Sequence, residues 1–323
     1  MASVSKHPVI RALFSLALVM AVGAIFNADG AFFQWDTHRD MLRQVSVFGI
    51  LACGMTMVII TGGIDLSVGS ILGACAVVFS LLSIHMGQPD VVAIGVTLLL
   101  GLACGVVSGA VIARFRVQPF IATLAMMVFA RGLAKLLSGG QKISTALQQS
   151  DGSYQYVDIP RIFDLIGTRI AGENIAVVTI IMLASMAFCG ILLSRTPWGR
   201  QLFAVGGNEE AARYSGIPVA ATKILAYGLC GLFCAVAGIC QAAQELQGDP
   251  EAGSTYELSA IAMVVIGGTT LQGGRGSIWL TLLGVLIVGN LEKILSINAV
   301  GEETRLMLTG VIILGAVLLQ RGE

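Results

Sequence analysis

The sequence has few charged residues: only 12% of its 323 residues are Asp, Glu, Lys or Arg, whereas 56% are hydrophobic. An ordinary soluble domain carries roughly 25% charged residues, so a surface that faces water on all sides is excluded. Apolar runs of about 20 residues, long enough to cross a hydrocarbon core of ~30 Å, recur along nearly the whole chain. The composition therefore predicts an integral membrane protein.

The sequence also lacks net charge and any paired cysteine motif. Its 19 basic and 19 acidic residues cancel, so no overall positive field favours nucleic acid as a partner. The seven cysteines are odd in number, lie within apolar runs and form no CxxC pair. We expect them to pack as small hydrophobic side chains, with no disulfide framework, no metal site and no other cofactor.

Catalytic motifs are missing too. Neither HExxH nor GxSxG occurs, and the three histidines stand at the edges or ends of apolar runs, which disfavours a membrane-embedded enzyme. The sequence contains no G-x-x-x-x-G-K-[ST] phosphate loop. Any ATP hydrolysis would therefore be carried out by a separate polypeptide, and we predict that this chain is not an enzyme.

What the sequence does contain is a series of ten apolar runs. They lie at 9–27, 44–61, 68–86, 91–113, 119–137, 175–194, 220–243, 257–272, 277–296 and 304–320. The predicted fold is all-α: a single polytopic domain, 1–323, of about ten transmembrane helices, with the first run retained rather than cleaved as a signal peptide. The run at 257–272 is short and ends in glycines, so a broken or re-entrant helix is an alternative there.

The basic residues of short loops indicate the orientation, because they favour the cytoplasmic side. With the N-terminus inside, alternation places most of the acids outside and both termini in the cytoplasm. Ten basic residues then lie inside: Lys6, Arg11, Arg114, Arg116, Arg195, Arg200, Arg213, Lys223, Arg275 and Arg321. The long polar stretch at 138–174 becomes an extracytoplasmic loop, which either meets a partner or is a plain solvated connection.

Glycines recur every fourth residue at Gly101, Gly105 and Gly109 within one apolar run. This spacing places small residues on one face of a helix and allows two helix backbones to approach closely in lipid. We interpret it as a helix-packing feature rather than a direct element of transport.

The segment at 196–218 contains the signals of a short helix. Asn208 suits the N-cap and is followed by two glutamates, Arg213 suits the last turn, and Gly216 suits the first position beyond the helix. A helix of about seven residues spans ~10 Å, too little to cross a bilayer. It either lies at the lipid surface or binds a protein partner, and its weak apolar content favours the partner.

Asp65 is the single residue that most strongly suggests a functional role, because burying a carboxylate between two apolar runs is energetically costly. It lies in the stretch Gly62–Ser70 and either caps a helix that starts at Leu66 or lines a polar path together with Gly63 and Ser67. The two roles are compatible, since a helix N-terminus at membrane depth can line a cavity.

Four ordered stretches resemble a known family. The segment 196–218 resembles the coupling loop of permease subunits in bacterial ABC importers of the monosaccharide, ribose-type class. The stretches 62–70, 119–124 with Arg131 and Gly132, and 256–276 agree with the same family. The resemblance covers about residues 44–320, and it is specific because the four stretches occur together and in order.

The resemblance implies a translocation-pore subunit in the bacterial inner membrane that imports a monosaccharide or related polyol. Its partners would be membrane lipid, a second permease copy or related permease, a cytoplasmic ATP-binding subunit, and a periplasmic or extracellular sugar-binding protein. Asp65, Ser67 and Gly63 are the expected substrate-path residues. The expected ATPase contacts are Gly206, Gly207, Asn208, Ala211, Ala212, Arg213 and Gly216.

Some residues depart from the family pattern, and the sequence leaves the sugar and one alternative mechanism undecided. The segment 243–253 replaces a common serine–arginine pair, and Ser108 and Leu280 differ from frequent family residues, which leaves the sugar unidentified. An ion-coupled secondary transporter is the alternative, although it would need more intramembrane ionisable groups than Asp65 and Glu292.

Two groups of charges flank the outer side. Arg131 and Lys135 share a helix face, and we interpret them as side chains that snorkel to the outer interface. The acids Glu245, Asp249 and Glu251 either dock the basic rim of a binding protein or belong to a solvated loop.

Overall fold

The computed structural model describes residues 8–148, 153–301, 303–308 and 310–311. Helices dominate this part of the chain. They are α1 (Pro8–Ile25), α2 (Trp35–Ile60), α3 (Val68–Ser80), α4 (Asp90–Phe115), α5 (Pro119–Ser138), α6 (Arg161–Gly167), α7 (Val177–Arg195), α8 (Pro197–Gly207), α9 (Glu209–Tyr214), α10 (Val219–Glu245), α11 (Tyr256–Ile266) and α12 (Ile278–Ile297). A π-helical turn, Leu81–His85, extends α3, and residues 303–308, 310 and 311 are also helical.

Seven of these helices are long and apolar enough to cross a membrane: α2, α3 with its π turn, α4, α5, α7, α10 and α12. Two shorter apolar helices, Val9–Ile25 and Tyr256–Ile266, lie at other predicted spans. Most of the predicted run at 304–320 lies outside the described residues. The prediction of a helical polytopic membrane protein is confirmed. Seven helices of full spanning length occur among the described residues, and the count of ten stays a prediction.

The chain is not purely helical, because two small hairpins interrupt it within 138–174. Strand β1 (Ala146–Gln148) pairs antiparallel with β2 (Tyr154–Tyr156), and β3 (Arg169–Ile170) pairs antiparallel with β4 (Ile175–Ala176). Helix α6 lies between the hairpins and buries Phe163, which stacks on Phe79 of α3 with ring centroids 4.9 Å apart. The described part of this stretch is therefore folded onto the bundle rather than being a plain solvated connection.

The centre of the bundle is formed by α10, which packs against α2, α3 and α4. The glycine spacing of α4 works as predicted: a Cβ on Gly101 or Gly105 would collide with backbone oxygens of α10, and one on Gly109 would lie 2.8 Å from the Cα of Ile224. Each of the seven cysteines is buried as a free thiol. Close packing of small residues therefore holds α10 in the core.

The chain between α10 and α11 crosses much of the bundle without a helix. Gly248 pairs with Ile143 through two backbone hydrogen bonds of 2.8 Å, just beyond the end of α5. The segment 247–255 then runs along α3, where a Cβ on Gly69 would collide with the carbonyl oxygen of Gly253. Glycine is required at this approach because two backbones touch.

Helix α11 completes this crossing at the opposite end. Its 11 residues span about 16 Å at ~1.5 Å per residue, and the turn after it brings Gly273 against Gly62, which follows α2. The predicted run at 257–272 therefore contains a short helix followed by a glycine-rich turn, which agrees with the broken or re-entrant helix that the sequence suggests.

Candidate functional site

The turn between α2 and α3 holds Asp65 with none of its surface exposed. Asp65 Oδ1 accepts hydrogen bonds from the backbone N–H of Ser67 at 2.9 Å and from its hydroxyl at 2.5 Å. Helix α3 begins at Val68 with Ser67 as N-cap, so the prediction that Asp65 caps a helix starting at Leu66 is wrong. The carboxylate instead closes a turn two residues ahead of the cap, as Asp side chains commonly do.

Tyr227 of α10 covers this turn. It is only 1% exposed, and its hydroxyl lies so close to Gly63 that a Cβ there would collide with it. Neither Tyr227 Oη nor Asp65 Oδ2 meets a nitrogen or oxygen partner in the described part of the chain, and the thiol of Cys230 is a weak donor beside the carboxylate. Leaving such a buried group without a hydrogen bond costs about 1–3 kcal/mol. Tyr227 Oη and Asp65 Oδ2 therefore lower the free energy of unfolding.

The three predicted path residues are thus brought together. Gly63, Asp65 and Ser67 are all buried in the turn that Tyr227 covers. Sequence reasoning missed Tyr227, which lies 162 positions from Asp65 along the chain. No pattern in the sequence links these two residues.

The segment 196–218 forms two helices rather than one. The predicted short helix is present as α9: Asn208 Oδ1 accepts from the backbone N–H of Ala211 at 2.9 Å, and Gly216 has a φ of 81° just beyond the helix. Helix α8 precedes it and was missed, although Thr196 is its N-cap and accepts from Gly199 N at 3.0 Å. The Thr-Pro pair at 196–197 is a helix-start signal that would have identified it.

One ion pair and a small apolar cluster fix α9 to the bundle. Glu209 accepts from Arg213 at 2.9 Å and from Lys223 of α10 at 2.6 Å. Ala212 is buried and packs with Val205 of α8 and Val219 of α10. The α8–α9 unit is therefore attached to α10 at two points.

The predicted partner contacts divide between the two faces of this unit. The exposed ones are Gly207, Asn208, Ala211, Arg213 and Gly216. Ala212 is buried and Gly206 is partly buried, so these two residues face the bundle. Tyr214 is 90% exposed and belongs to the outer face, although the sequence pattern did not single it out.

Three cations hold the non-helical segment after α10, which runs along α3. Arg131 donates to the carbonyl oxygens of Pro250 and, at 2.9 Å, Ala252. Lys135 pairs with Glu251 at 2.6 Å, and Lys142 pairs with Asp249 at 3.0 Å. The interpretation of Arg131 as a snorkelling side chain is wrong, because its guanidinium binds main-chain carbonyl groups of this segment. Lys135, whose side chain is half exposed, stays compatible with that interpretation.

The same contacts occupy two of the three acids considered for docking a binding protein. The hydrogen bond from Lys135 lowers the pKa of Glu251 below its ordinary value. The hydrogen bond to Asp249 raises the pKa of the Lys142 ammonium. Both acids are thus internally neutralised at neutral pH. No group of His, Cys, Asp and Glu suited to a metal ion occurs among the residues that the structure covers.

Comparison with known proteins places these features in a family. Residues 39–317 match the family model described as "Branched-chain amino acid transport system / permease component". The ribose import permease protein of Escherichia coli K12 is 39% identical over 94% of this chain and 91% of its own length. The ribose import permease protein of Bacillus subtilis 168 is 42% identical over 96% of this chain and 90% of its own length.

A third relative, the xylose transport system permease protein of Escherichia coli K12, is 32% identical over 94% of this chain and 89% of its own length. No solved structure matches the chain significantly. The matched residues include both the Asp65 turn and the α8–α9 unit. The chain therefore belongs to this family of multi-pass inner-membrane transport permeases and is similar to its ribose-type members.

Proposed function

We propose that this chain is the translocation-pore subunit of an ATP-driven importer of a monosaccharide or related polyol. It works with a separate cytoplasmic ATP-binding subunit, a periplasmic or extracellular sugar-binding protein and a second permease copy or related permease. The observation that carries the proposal is the α8–α9 unit, read with relatives whose names describe ribose and xylose import.

The α8–α9 unit has the properties of a docking element for the ATP-binding subunit. Helix α9 has six residues and spans about 9 Å at ~1.5 Å per residue, so it cannot serve as a membrane span. Its inner face is fixed by Ala212 and by the Glu209–Lys223 pair, whereas its outer face presents Asn208, Ala211 and Arg213. A rigid helix with a free polar face can transmit force from a partner to the bundle.

The Asp65 turn is our proposal for the polar part of the substrate path. Asp65 Oδ2 and Tyr227 Oη are buried and unpaired by oxygen or nitrogen among the described residues. Sugar hydroxyls or water reaching them during the transport cycle would supply the missing hydrogen bonds. Gly63 and Ser67 complete this surface because their atoms lie in the same turn.

For the topology we propose ten crossings, with both termini in the cytoplasm. The turn after α2, the end of α8 and the turn after α11 meet at one end of the bundle, which is the end that we assign to the cytoplasm. The hairpins of 138–174 and the start of the segment after α10, where Gly248 pairs with Ile143, lie at the other end. Basic residues favour the assigned cytoplasmic end.

Co-purification with the candidate ATP-binding subunit tests the docking role. Open space surrounds the position that a Cβ on Gly207 would take, so Gly207→Ala leaves the permease fold intact while adding a methyl group at the proposed interface. We expect Gly207→Ala and Arg213→Ala to lower recovery of the ATP-binding subunit. Arg161→Ala removes an exposed charge at the opposite end and is the matched control. Undiminished recovery with both interface variants contradicts the docking role.

A further inference from the structure

Three turns of backbone meet at the end of α8. A Cβ on Gly206 would collide with the carbonyl oxygen of Ile60, the last residue of α2, and would lie 2.5 Å from the backbone nitrogen of Gly274. Gly274 N–H donates to the same Ile60 oxygen at 2.9 Å. The α8–α9 unit thus touches the end of α2 and the turn after α11 through main-chain atoms.

The glycines of this junction leave no side chain between the three segments. A Cβ on Gly273 would lie 2.7 Å from Gly62 N, and one on Gly274 would lie 2.8 Å from Gly207 Cα. Packed backbone has no rotamers that could absorb a displacement, and protein interiors are poorly compressible. A shift of Gly206 towards α2 must therefore move Ile60, which is five residues from Asp65.

A second link reaches the same turn from the other side. Glu209 of α9 pairs with Lys223 of α10 at 2.6 Å. Tyr227 lies four residues further along α10, on the same helix face, and its hydroxyl lies against Gly63. The α8–α9 unit is therefore connected to the Asp65 turn in two ways, through Ile60 at the end of α2 and through the α10 helix that carries Tyr227.

We propose that Gly206 and Lys223 are positioning residues that transmit displacements of the α8–α9 unit to the Asp65 turn. The inference rests on the proposed function, because the displacement is supplied by nucleotide binding in the ATP-binding subunit. It adds the specific pair of contacts that carries the movement. Neither residue needs to touch the substrate.

Labelling of the native thiols provides the readout. Cys230 is fully buried beside the Asp65 turn, so its reaction with a membrane-permeant maleimide reports on movement of that turn. Cys53 is also fully buried, and its thiol donates to the carbonyl oxygen of Gly49 on its own helix. It serves as an internal reference for general loosening. Peptide mass spectrometry of the assembled complex separates the two signals without any cysteine substitution.

In the unmodified complex we expect a non-hydrolysable ATP analogue to change Cys230 labelling about fivefold or more, the lower end of usual coupling between sites, with Cys53 unaffected. Gly206→Ala should keep the ATP-binding subunit bound and lose this nucleotide response. Gly95→Ala adds a methyl group to another helical glycine, on α4, where open space surrounds it. It should keep the full response.

Lys223→Gln tests the second link without adding bulk, and we expect it to reduce the response to less than half. If Gly206→Ala raises Cys53 labelling and is therefore misfolded, Lys223→Gln alone tests whether displacements of the α8–α9 unit reach the Asp65 turn. A full response in either folded variant, or no response in the unmodified complex with its ATP-binding subunit bound, overturns the inference and leaves the proposed function standing. Failure of the unmodified permease to bind the ATP-binding subunit overturns both.

Discussion

The guanidinium of Arg131 on α5 donates to the carbonyl oxygen of Ala252 at 2.9 Å, across 121 residues of sequence. The segment 247–255 has no helix of its own. Its turns satisfy the carbonyl groups of Asp249, Glu251 and Gly253, whereas those of Pro250 and Ala252 need donors from elsewhere in the bundle. Arg131 supplies two such bonds, and Lys135 and Lys142 hold the flanking acids. The segment 247–255 is therefore stabilised from α5 and the turn that follows it.

Replacing Arg131 should release this segment. We expect Arg131→Gln to destabilise the protein by about 2 kcal/mol, the scale of hydrogen bonds to a charged group, and to increase proteolytic cleavage within 247–255. Limited proteolysis and the melting temperature in detergent measure the two effects. Lys135→Gln should have a smaller effect because half of its side chain is exposed. Unchanged cleavage in Arg131→Gln shows that the segment is held by other contacts.

The attachment of the segment 247–255 should depend on pH only at acidic and strongly basic values. Glu251 has a lowered pKa in the folded protein, so its pairing contributes above the ordinary glutamate value and is lost as the pH falls through the lowered folded value. Lys142 has a raised pKa, so its pairing contributes below the ordinary lysine value and is lost at still higher pH. Cleavage within 247–255 should stay constant from about pH 5 to about pH 10 and rise outside that window. A transition near pH 7 contradicts this account.

Asp65→Asn separates the structural role of Asp65 from its proposed place in the path. The amide oxygen can still accept from Ser67 N, so the turn and the amount of protein in the membrane should be preserved. Loss of the negative charge should abolish or strongly reduce substrate uptake. Normal uptake with normal membrane levels assigns Asp65 to the turn alone.

Tyr227→Phe addresses the second unpaired atom. Removing a buried hydroxyl that has no hydrogen-bond partner in the described residues should leave stability unchanged or raise it by about 1 kcal/mol. Uptake should nevertheless fall, because the proposed path brings the substrate to this hydroxyl. Thermal unfolding and uptake are compared in the same preparation. A variant that is less stable and fully active shows that Tyr227 Oη has a structural partner.

Local features were predicted from the sequence more accurately than distant ones. The caps of α9 follow from Asn208 and Gly216, which act on backbone groups within three residues of themselves. Asp65 was identified as a buried turn residue for the same reason, although its helix begins two residues later than predicted. The family resemblance is confirmed by the matching family model and the ribose-type relatives.

The errors concern contacts between distant residues. Arg131 looks like a snorkelling side chain on an apolar helix, because the carbonyl groups that it binds belong to a segment more than 100 residues away. The path of the segment 247–255 could not be predicted, because nine residues built mostly of turns carry no long apolar period. Tyr227 was missed because only packing places it over Gly63.

Reconstitution tests the central claim most directly. The permease is placed in proteoliposomes with a loaded sugar-binding protein, with and without the ATP-binding subunit, and uptake of ribose, xylose and a branched-chain amino acid is measured. We predict sugar uptake only when the ATP-binding subunit and ATP are present, and none that an ion gradient alone can drive. Sugar uptake driven by an ion gradient without the ATP-binding subunit would contradict the account and identify a secondary transporter.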